Sequence, residues 1–419
     1  MMPLRNLLYL LQLEEYGLER FINWLKNNPG RIVLEKKGRL TWTLKARLFF
    51  VLAGALNIFT FWQRPVMALK TTAIILSPFD TILKNLLVWR AHLKLNKIKS
   101  LTVIGITGSY GKTTTKDVIS HVLTHKYGVL KTEGNYNTLL GIAKTILLNL
   151  RKNHEIFICE MAAYQLGDIK AISKLVKPKI GIITAIGQMH LERFGTEENI
   201  LKTKLELIES LSSDGIGFMP KELESQIKNH HFAAKIEFFS SREDLLVKIG
   251  KIFSMAQDEI LGRLKTTSPT PHRQEIIKTS AGITIIDDAY NSNPAGFLSA
   301  LELLKNTPAQ IKILVTPGMI ELGEKQFELN KNAAMSATQV ADYVIIVGET
   351  NKKALEEGLK EGFNLYSRTS GLEDSYADKE YNKRVFEVTD LDAAKIKLSE
   401  LAISNSAVLL ENDLPDHYF

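Results

Sequence analysis

The stretch LTVIGITGSYGKTTT, residues 101–115, determines the central fold of this 419-residue chain. Its first six residues, Leu101 to Ile106, form a short β-branched run that is typical of a buried parallel strand. A glycine loop with Lys-Thr at its end follows, and a helix is predicted through about His121. Strand, glycine loop, Lys-Thr and helix in this order favour a phosphate-binding loop in an α/β domain.

The residue types of the loop suit a nucleotide. Gly108 and Gly111 allow backbone N–H groups to curve around phosphate oxygens, and the helix N-terminus adds partial positive charge. Lys112 is predicted to reach the terminal phosphates, and the Thr113 hydroxyl to hold Mg²⁺. The loop departs from the common pattern at Ile106, where a first glycine is usual. The predicted nucleotide-binding residues here are Gly108, Ser109, Tyr110, Gly111, Lys112, Thr113 and Thr114.

Polar residues follow the next buried strands. A strand predicted over 155–160 ends on Glu160, and another over 179–184 is followed by His190. Ligands in open α/β sheets bind at the carboxyl ends of the strands, so Glu160 is predicted to meet a metal bound to the phosphates. Lys204 lies on a predicted helix beyond them. Taken singly, each residue also fits an ordinary structural role: a strand-end acid, a structural histidine or a solvated lysine.

Composition excludes several classes of protein. Hydrophobic residues make up 45% and charged residues 24%, which rules out a wholly disordered chain, a collagen and a multi-span transporter. The single cysteine, Cys159, rules out a disulfide framework and a cysteine-based zinc site, and it fits a reducing compartment. The length predicts two or three domains.

The net charge of +7 is concentrated at one end of the chain. Residues 1–100 contain 16 Lys and Arg against 5 Asp and Glu, so the rest of the chain is net acidic. A basic excess confined to one end indicates local contact with an anionic surface. On charge grounds, the body of the protein does not bind nucleic acid.

The basic end also contains apolar segments. Residues 4–27 are predicted to form an amphipathic helix, and no secretory signal is expected because acidic residues interrupt the first apolar stretch. Two apolar runs follow, Ala46–Trp62 and Val66–Trp89. They fit either a pair of buried core helices or a hairpin that enters or lies on a membrane, since the first run is short and the second contains charges.

The flanks of the two runs favour the membrane. Trp62 and Trp89 are placed like interface anchors, and basic residues on both outer sides would keep both ends in the cytoplasm. The sequence therefore predicts a protein attached to the cytoplasmic face of the membrane through residues 46–89. The flanking basic residues are Lys36, Lys37, Arg39, Lys45 and Arg47 before the pair, and Arg90, Lys94, Lys97 and Lys99 after it.

A series of motifs in a fixed order resembles the Mur ligase family and spans roughly three quarters of the chain. Because several independent motifs agree in order, the resemblance is specific. The motifs are ITGSYGKTTTK at 106–116, GNYNTLLG at 134–141, CEM at 159–161, PKIGIITAIGQMHLERFG at 178–195, KTKLEL at 202–207, HRQE at 272–275, DDAYNSNP at 287–294 and GMIELGE at 318–324.

The resemblance implies an α/β fold with two domains after a helical N-terminal segment. A central P-loop ATPase domain with a mostly parallel sheet is expected over 100–294, and a Rossmann-like domain over 295–419. The N-terminal segment occupies 1–99. Strands predicted at 311–315, 343–347 and 406–411, each near a helical stretch, support the Rossmann-like texture independently of the resemblance.

The family's chemistry is ATP-dependent amide bond formation through an acyl phosphate. The resemblance implies that D-alanyl-D-alanine, or a similar amino acid or dipeptide, is joined to a muropeptide-type carboxylate in peptidoglycan synthesis. It also implies ATP and two Mg²⁺ ions as cofactors, and a lysine at Lys204 that is carbamylated by CO₂.

Residue roles carry over by motif. Lys112, His190 and Lys204 are the implied catalytic residues, and Thr113, Glu160, His190 and Lys204 the implied metal site. Asn291 and Asn293 match positions that contact the adenosine of ATP, with Arg273 and His272 nearby, and Asn135 and Asn137 match a loop near the substrate.

Two departures from the family pattern leave the acceptor open. The usual domain that grips the UDP of the substrate is not recognisable, and the apolar basic segment stands in its place. Near the C-terminus, Glu411-Asn-Asp-Leu-Pro-Asp416 replaces the usual Lys-Gly-Ser-Arg. Two alternatives therefore stand beside the cell-wall ligase: a ligase for a non-wall acceptor, as in folate polyglutamylation, and a membrane-anchored nucleotide-binding partner without catalysis.

Overall fold

The structure is a computed structural model that describes residues 4–14, 16–27, 40–59, 65–134, 136–268, 270–290, 292–370 and 375–413. The chain divides into two compact units. The first reaches Leu86, and the second comprises Leu87–Asp413. Each unit has its own hydrophobic core.

The first unit is helical. Buried side chains of its helices, among them Leu8, Phe21, Phe49 and Leu69, form a small core. Helix α4 continues into the second unit, where Ala91 and Leu95 are buried. The helices are α1 (Leu4–Leu13), α2 (Leu18–Asn27), α3 (Leu44–Phe59) and α4 (Pro65–Leu95).

The prediction of one amphipathic helix over 4–27 is wrong, because the helix is interrupted between α1 and α2. Tyr16 adopts a left-handed backbone conformation with φ 61°, and its N–H bonds to the carbonyl of Leu11 at 2.7 Å. Arg20 then donates to the carbonyl of Glu14 at 2.6 Å. A left-handed residue cannot continue a right-handed helix, so the two halves separate here.

The charges inside the second apolar run do not interrupt its helix. Asp80 lies within α4 and pairs with Lys84, one turn further on, at 2.8 Å. It also pairs with Lys45 of α3 at 3.2 Å, which ties the two apolar helices together. Trp62 and the basic residues Lys36, Lys37 and Arg39 of the predicted hairpin lie outside the described residues.

The second unit begins with a six-stranded, wholly parallel sheet, sheet A. Its strand order is β2-β3-β1-β4-β5-β6, which places β1 between β3 and β4. The strands are β1 (Thr102–Thr107), β2 (Val129–Lys131), β3 (Ile156–Glu160), β4 (Ile180–Ile183), β5 (Ile216–Pro220) and β6 (Lys235–Phe239). The accompanying helices are α5 (Lys112–Leu123), α6 (Leu139–Asn149), α7 (Asp168–Val176), α8 (Leu191–Phe194), α9 (Glu197–Glu209), α10 (Arg242–Ile252) and α11 (Gln257–Lys265).

Both faces of sheet A are covered by helices, which explains its near-continuous apolar strands. Because all strands run parallel, the ends of β1, β3 and β4 meet at one edge. Residues that follow these strands along the chain are thereby gathered at that edge, as the sequence predicts for Glu160 and His190.

A second six-stranded sheet, sheet B, has the order β11-β10-β9-β12-β8-β7, and only β7 runs antiparallel to its neighbour. Its strands are β7 (Glu275–Lys278), β8 (Thr284–Asp288), β9 (Ile311–Thr316), β10 (Tyr343–Val347), β11 (Val385–Val388) and β12 (Ser406–Glu411). Its helices are α12 (Pro294–Asn306), α13 (Gln326–Ala337), α14 (Lys352–Ser370), α15 (Tyr376–Arg384) and α16 (Leu391–Leu401).

The two sheets confirm the α/β architecture expected from the sequence, with a parallel sheet followed by a Rossmann-like one. Sheet B begins earlier than residue 295, where the sequence placed the start of the C-terminal domain. Strands β7 and β8 belong to it, since β8 pairs with β12 in parallel register from Thr284 to Asp288. No helix separates β7 from β8, so these two strands do not show the alternation of strand and helix by which a Rossmann-like domain is recognised in a sequence.

Candidate active site

The glycine loop between β1 and α5 is fastened to the end of β4. The N–H of Ser109 donates to the carbonyl of Ala185 at 2.8 Å, and its hydroxyl donates to the carbonyl of Gly187 at 3.0 Å. Gly108 passes so close to this segment that a Cβ there would overlap the Thr184 hydroxyl. The loop therefore has a fixed shape, and position 108 requires glycine for both space and its φ of 149°.

The loop ends at the N-terminus of α5. Gly111 has a left-handed φ of 78° and, as a glycine at the N-cap position, offers no side chain to cap the first turn of the helix. Uncapped N–H groups and the helix dipole make this end suited to an anion. The Lys112 ammonium folds back over the loop and donates to the carbonyls of Gly108 at 2.7 Å and Ser109 at 3.0 Å.

Lys112 lies in a charged environment that reaches from one sheet to the other. Burial lowers the pKa of Lys112 to about 8; the nearby Arg273 also lowers it, and Glu160 opposes both. Arg273 lies just before β7, so the domain of sheet B brings a cation close to the loop. Two cations beside a helix N-terminus are chemically suited to phosphates.

Glu160, the last residue of β3, is the polar centre at the sheet edge. Its carboxylate accepts hydrogen bonds from the Thr113 hydroxyl at 3.2 Å, the Lys116 ammonium at 3.0 Å and the Asn137 amide at 3.0 Å. Burial raises the pKa of Glu160, but the charge of Lys116 and the Asn137 hydrogen bond outweigh it, so the pKa lies below its ordinary value. Glu160 is thus held as a carboxylate beside the loop.

Sequence reasoning alone assigns no role to Lys116, although this residue ends the motif at 106–116. Its side chain is 2% exposed and forms a buried ion pair with Glu160. The available signal is its spacing from Lys112, since residues four apart share a helix face. Asn137 was expected near the substrate, and in the structure it contacts Glu160.

The donors around Glu160 fit a magnesium ion bound with phosphates. Within the described ranges, no group of three His, Cys, Asp or Glu side chains is arranged to hold a metal on its own. Mg²⁺ usually takes one or two protein oxygens and completes its shell with water and substrate phosphates. The Thr113 hydroxyl and the Glu160 carboxylate, in contact beside the phosphate loop, provide such a pair.

Lys204 lies on α9 and is buried, with 4% of its surface exposed. Its ammonium lies 5.7 Å from the centre of the Phe194 ring. Burial and the charge of Lys112 lower the pKa of Lys204 to about 7, while Asp168 and Glu206 act in the opposite direction. A lysine in this state is often a neutral amine near pH 7, and neutral amines are nucleophilic.

His190 directly precedes α8 and contacts the domain that contains sheet B. Its Nδ1 bonds to the carboxylate of Glu321, which also accepts from Arg193 at 2.6 Å. Burial raises the pKa of Glu321, but the hydrogen bond and charge of His190, together with Arg193, overcome this and lower it to about 2. Glu321 belongs to the GMIELGE motif and was not assigned a role from the sequence.

The residues expected near adenosine lie at the start of sheet B. The Arg273 guanidinium stacks 4.2 Å from the centre of the Tyr290 ring, and His272 bonds to Asp287 at 2.7 Å. The side chain of Asn293 caps α12 by accepting from the N–H of Gly296 at 3.0 Å, so its oxygen already has a structural partner. Asn291 and Asn135 lie outside the described residues.

Glu411, the first residue of the segment that departs from the family pattern, ends β12 with a buried side chain. Its carboxyl accepts from the Thr316 hydroxyl at 3.0 Å and from the Ser292 hydroxyl. Burial raises the pKa of Glu411 to about 8, and the two hydroxyl groups offset this in part. The group is therefore largely protonated at neutral pH.

The geometry defines a P-loop α/β domain joined to a Rossmann-like domain, with Lys112, Thr113 and Glu160 gathered at the edge of sheet A. The chain matches the family models of the Mur ligase middle domain over residues 106–261 and of the Mur ligase, glutamate ligase domain over residues 272–411. The two matches together cover well over half of the chain. It belongs to the Mur ligase family.

Individual relatives agree with this assignment. The UDP-N-acetylmuramoyl-tripeptide--D-alanyl-D-alanine ligase of Bacillus subtilis is 32% identical over 299 residues, which are 62% of this chain and 65% of the relative. The enzyme of the same name from Synechocystis is 26% identical, covering 73% of this chain and 74% of the relative. The chain thus spans just under two thirds of the Bacillus protein.

Solved structures show the same fold. The MurF ligase of Thermotoga maritima, crystallised in complex with ADP, superposes with a TM-score of 0.66 at 24% identity. The superposition covers 79% of this chain and 80% of the Thermotoga chain. The fold expected from the sequence is confirmed by this likeness.

Proposed function

We propose that the protein is an ATP-dependent ligase that forms an amide bond through an acyl phosphate. The single observation that carries the proposal is the contact of Thr113 and Glu160 at the end of the Gly108–Lys112 loop, with Lys116 buried behind them. This contact places an ammonium, a hydroxyl and a carboxylate next to one another beside the loop, and transfer of a γ-phosphate requires groups of these kinds. ADP and phosphate would be the products.

The loop would hold the phosphates of ATP. The N–H groups at the start of α5 face the anion, and Lys112 would exchange its loop carbonyls for phosphate oxygens. Arg273 adds positive charge from the domain of sheet B. Because phosphoryl transfer is mainly positioning and charge neutralisation, these groups would provide most of the catalysis of the first step.

Thr113 and Glu160 would hold one Mg²⁺, and His190 and Lys204 are the candidates for a second. When bound, such ions neutralise phosphate charge and orient the attacking carboxylate oxygen. Lys116 keeps Glu160 ionised and fixes its direction, and Asn137 donates to the same oxygen as Thr113.

Lys204 would serve in this site only after its charge is changed. We infer that its neutral amine attacks the carbon of CO₂ and loses a proton, which gives a carbamate with two oxygens. The side chain then carries a negative charge instead of a positive one. That change suits both an oxygen ligand for Mg²⁺ and the neighbouring cation Lys112, which lowers the pKa of the free amine.

The second half-reaction forms the amide. The amine would attack the acyl carbon, and the tetrahedral intermediate would expel phosphate with the oxygen that came from the carboxylate. The domain of sheet B carries Arg273 and Glu321 to the loop side, so its docking would help to exclude water from the acyl phosphate.

For the substrates, we propose a muropeptide-type carboxylate and D-alanyl-D-alanine or a similar amine in peptidoglycan synthesis. The support is the activity for which the Bacillus and Synechocystis relatives are named. Lys112, Glu160, His190 and Lys204 are all present, which argues against a non-catalytic nucleotide-binding partner. Glu411 in place of a cationic motif is the reason to test other amines alongside the dipeptide.

We further propose that the enzyme works at the cytoplasmic face of the membrane. Helix α4 is the one described helix that is long and apolar enough to cross a bilayer, and little of its most apolar stretch is buried. Ile74, Phe79 and Ile82 are each at least 66% exposed. Apolar surface of this extent marks a contact site, and the basic residues around the helix would favour anionic lipid headgroups.

The test is an assay matrix of carboxylate acceptors against amine donors, with ADP release and product mass as readouts. UDP-linked muropeptide with D-alanyl-D-alanine should give a product and ADP in equal amounts. Lys112→Met should abolish turnover, because the phosphates lose their cation. Lys126→Met is the matched control, since Lys126 is exposed and bonds to the carbonyl of Ser254. Turnover only with a folate and glutamate would replace the cell-wall assignment by the non-wall one.

A further inference from the structure

Glu321 is the point at which the domain of sheet B contacts the candidate active site. One carboxylate oxygen accepts from Arg193 at 2.6 Å, and the other bonds to Nδ1 of His190. Its backbone carbonyl accepts from the N–H of Glu192 at 3.1 Å. A single residue therefore binds three of the four residues from His190 to Arg193, at the start of α8.

Both ends of this contact have a constrained backbone. His190 has φ 55° and Glu321 has φ 62°, so each is a non-glycine residue in the left-handed region. Such conformations are held by their surroundings and occur often at functional sites. Gly323 lies against the backbone of Glu192, so the two segments also meet through main chain.

A further aromatic contact restricts the side chains of His190 and Arg193. The Tyr164 ring meets the His190 ring edge to face, with 5.7 Å between ring centres, and the Arg193 guanidinium lies 4.5 Å from the Tyr164 ring centre. The imidazole thus contacts Tyr164 of the sheet A domain on one side and Glu321 of the sheet B domain on the other. Without the Glu321 carboxylate, only the Tyr164 contact would remain to orient it.

The chemistry of the contact defines the tautomer of His190. An ionised carboxylate accepts hydrogen bonds but cannot donate them, so Nδ1 must carry the proton. In a neutral imidazole, the lone pair then belongs to Nε2. Histidines that bind metals are oriented in this way by a carboxylate on the other nitrogen.

We propose that Glu321 is a positioning residue that makes catalysis depend on docking of the second domain. When this domain docks, the Glu321 carboxylate orients His190 and presents Nε2 to the site; when it leaves, His190 loses that orientation. The inference rests on the proposed function, because the role of His190 depends on that function. The contact between Glu321 and His190 is present in the structure whatever the function is.

The variants are Glu321→Gln, Glu321→Asp and a control, Lys325→Gln. Lys325 forms an ion pair with Glu197 at 3.4 Å across the same interface, with both side chains about half exposed, and it does not touch His190. Full-length protein is used throughout. Binding of fluorescent ADP at wild-type stoichiometry shows that each variant is folded with an intact loop.

Two readouts are combined. Steady-state kinetics give kcat and the KM for ATP, and dye pairs on Ser225→Cys and Glu357→Cys report the distance between the two domains. Both positions are exposed, whereas the one native cysteine, Cys159, is fully buried and will not label.

Glu321→Gln should lower kcat by roughly 10- to 100-fold, as is usual for residues that orient a metal-binding histidine, with little change in the KM for ATP. The short-distance population seen for wild type with MgATP should shrink. Glu321→Asp should recover part of both, and Lys325→Gln should match wild type.

Wild-type kcat in Glu321→Gln, or a loss of kcat with an unchanged distance distribution, overturns the proposal. Failure of the proposed function looks different: the wild type itself would then form no amide with any acceptor and amine. In that case the distance measurement still tests whether Glu321 holds the domains together.

Discussion

The Lys116 ammonium lies 3.0 Å from the Glu160 carboxylate, and the two side chains are 2% and 3% exposed. This ion pair stands directly behind the phosphate loop, on the side of α5 that faces β3. The desolvation of two charges is costly, and only good geometry and further hydrogen bonds offset it. Thr113 and Asn137 supply those bonds, so the pair fixes the carboxylate where a metal would meet the phosphates.

Lys116→Met should therefore destabilise the protein strongly, by about 3–5 kcal/mol, because it leaves Glu160 as an uncompensated buried charge. The double variant Lys116→Met/Glu160→Gln should recover much of that stability while remaining inactive. Denaturant unfolding of the two variants and the wild type measures the difference. Equal stability of the single and double variants would show that the pair is not coupled.

Activity should depend on CO₂ through Lys204. Lys204→Ala should be inactive, and added short-chain carboxylates should restore part of the rate by supplying the missing oxygen. Lys202→Ala, on the exposed side of the same helix, should behave as wild type. An active Lys204→Ala, or a failure of CO₂ depletion to reduce wild-type activity, would contradict carbamylation.

The pH dependence of carbamylation follows from the pKa of Lys204, which burial and Lys112 lower to about 7. Only the deprotonated amine reacts with CO₂. At a fixed concentration of dissolved CO₂, the carbamate should therefore form more readily as pH rises from 6 to 8. Carbon-13 NMR with labelled CO₂ detects the carbamate directly. A signal of equal size at both pH values, or in Lys204→Ala, would refute the assignment.

Stability should also change with pH through Glu411, whose pKa burial raises to about 8 in the folded protein. In the unfolded chain, a glutamate has a pKa of about 4.3. Between these values the folded state holds one proton more than the unfolded state, so the free energy of unfolding falls as pH rises, by up to about 1.4 kcal/mol per pH unit.

Glu411→Gln removes this titration and can keep both hydroxyl partners. It should stabilise the protein at pH 8 and have little effect at pH 5. Unfolding curves of wild type and variant at the two pH values provide the comparison. A difference that is the same at both pH values would mean that Glu411 does not titrate in this range.

Membrane attachment should depend on the exposed apolar residues of α4. Phe79→Glu combined with Ile82→Glu should release the full-length protein from anionic vesicles, because two charges would have to enter the apolar region. Leu298→Glu, at a half-exposed leucine of α12, is the control. Sedimentation with vesicles gives the bound fraction. Binding that is lost equally in the control, or absent in wild type, would contradict the membrane proposal.

Much of the fold follows from local sequence. Short β-branched runs predict β1, β3 and β4, and parallel topology then brings Glu160 to the phosphate loop, because the ends of neighbouring parallel strands meet at one edge. The Thr113–Glu160 contact could be anticipated in this way.

Other features depend on tertiary contacts that spacing does not reveal. His190 and Glu321 are 131 residues apart in sequence, and only the docking of one sheet domain on the other brings them together. Lys116 has the spacing of a site residue, but its burial depends on β3. In the N-terminal unit, the left-handed Tyr16 splits a helix whose apolar periodicity is otherwise continuous.

An isotopic label on the acceptor carboxylate tests whether the amide forms through an acyl phosphate. If the carboxylate of the acceptor is labelled with ¹⁸O and the reaction is run with ATP, D-alanyl-D-alanine and unlabelled water, each amide formed through an acyl phosphate transfers one labelled oxygen to phosphate. Mass spectrometry of the released phosphate should therefore show one ¹⁸O per amide bond. Amide formation that yields only unlabelled phosphate, or hydrolysis of ATP without any amide, would contradict the mechanism.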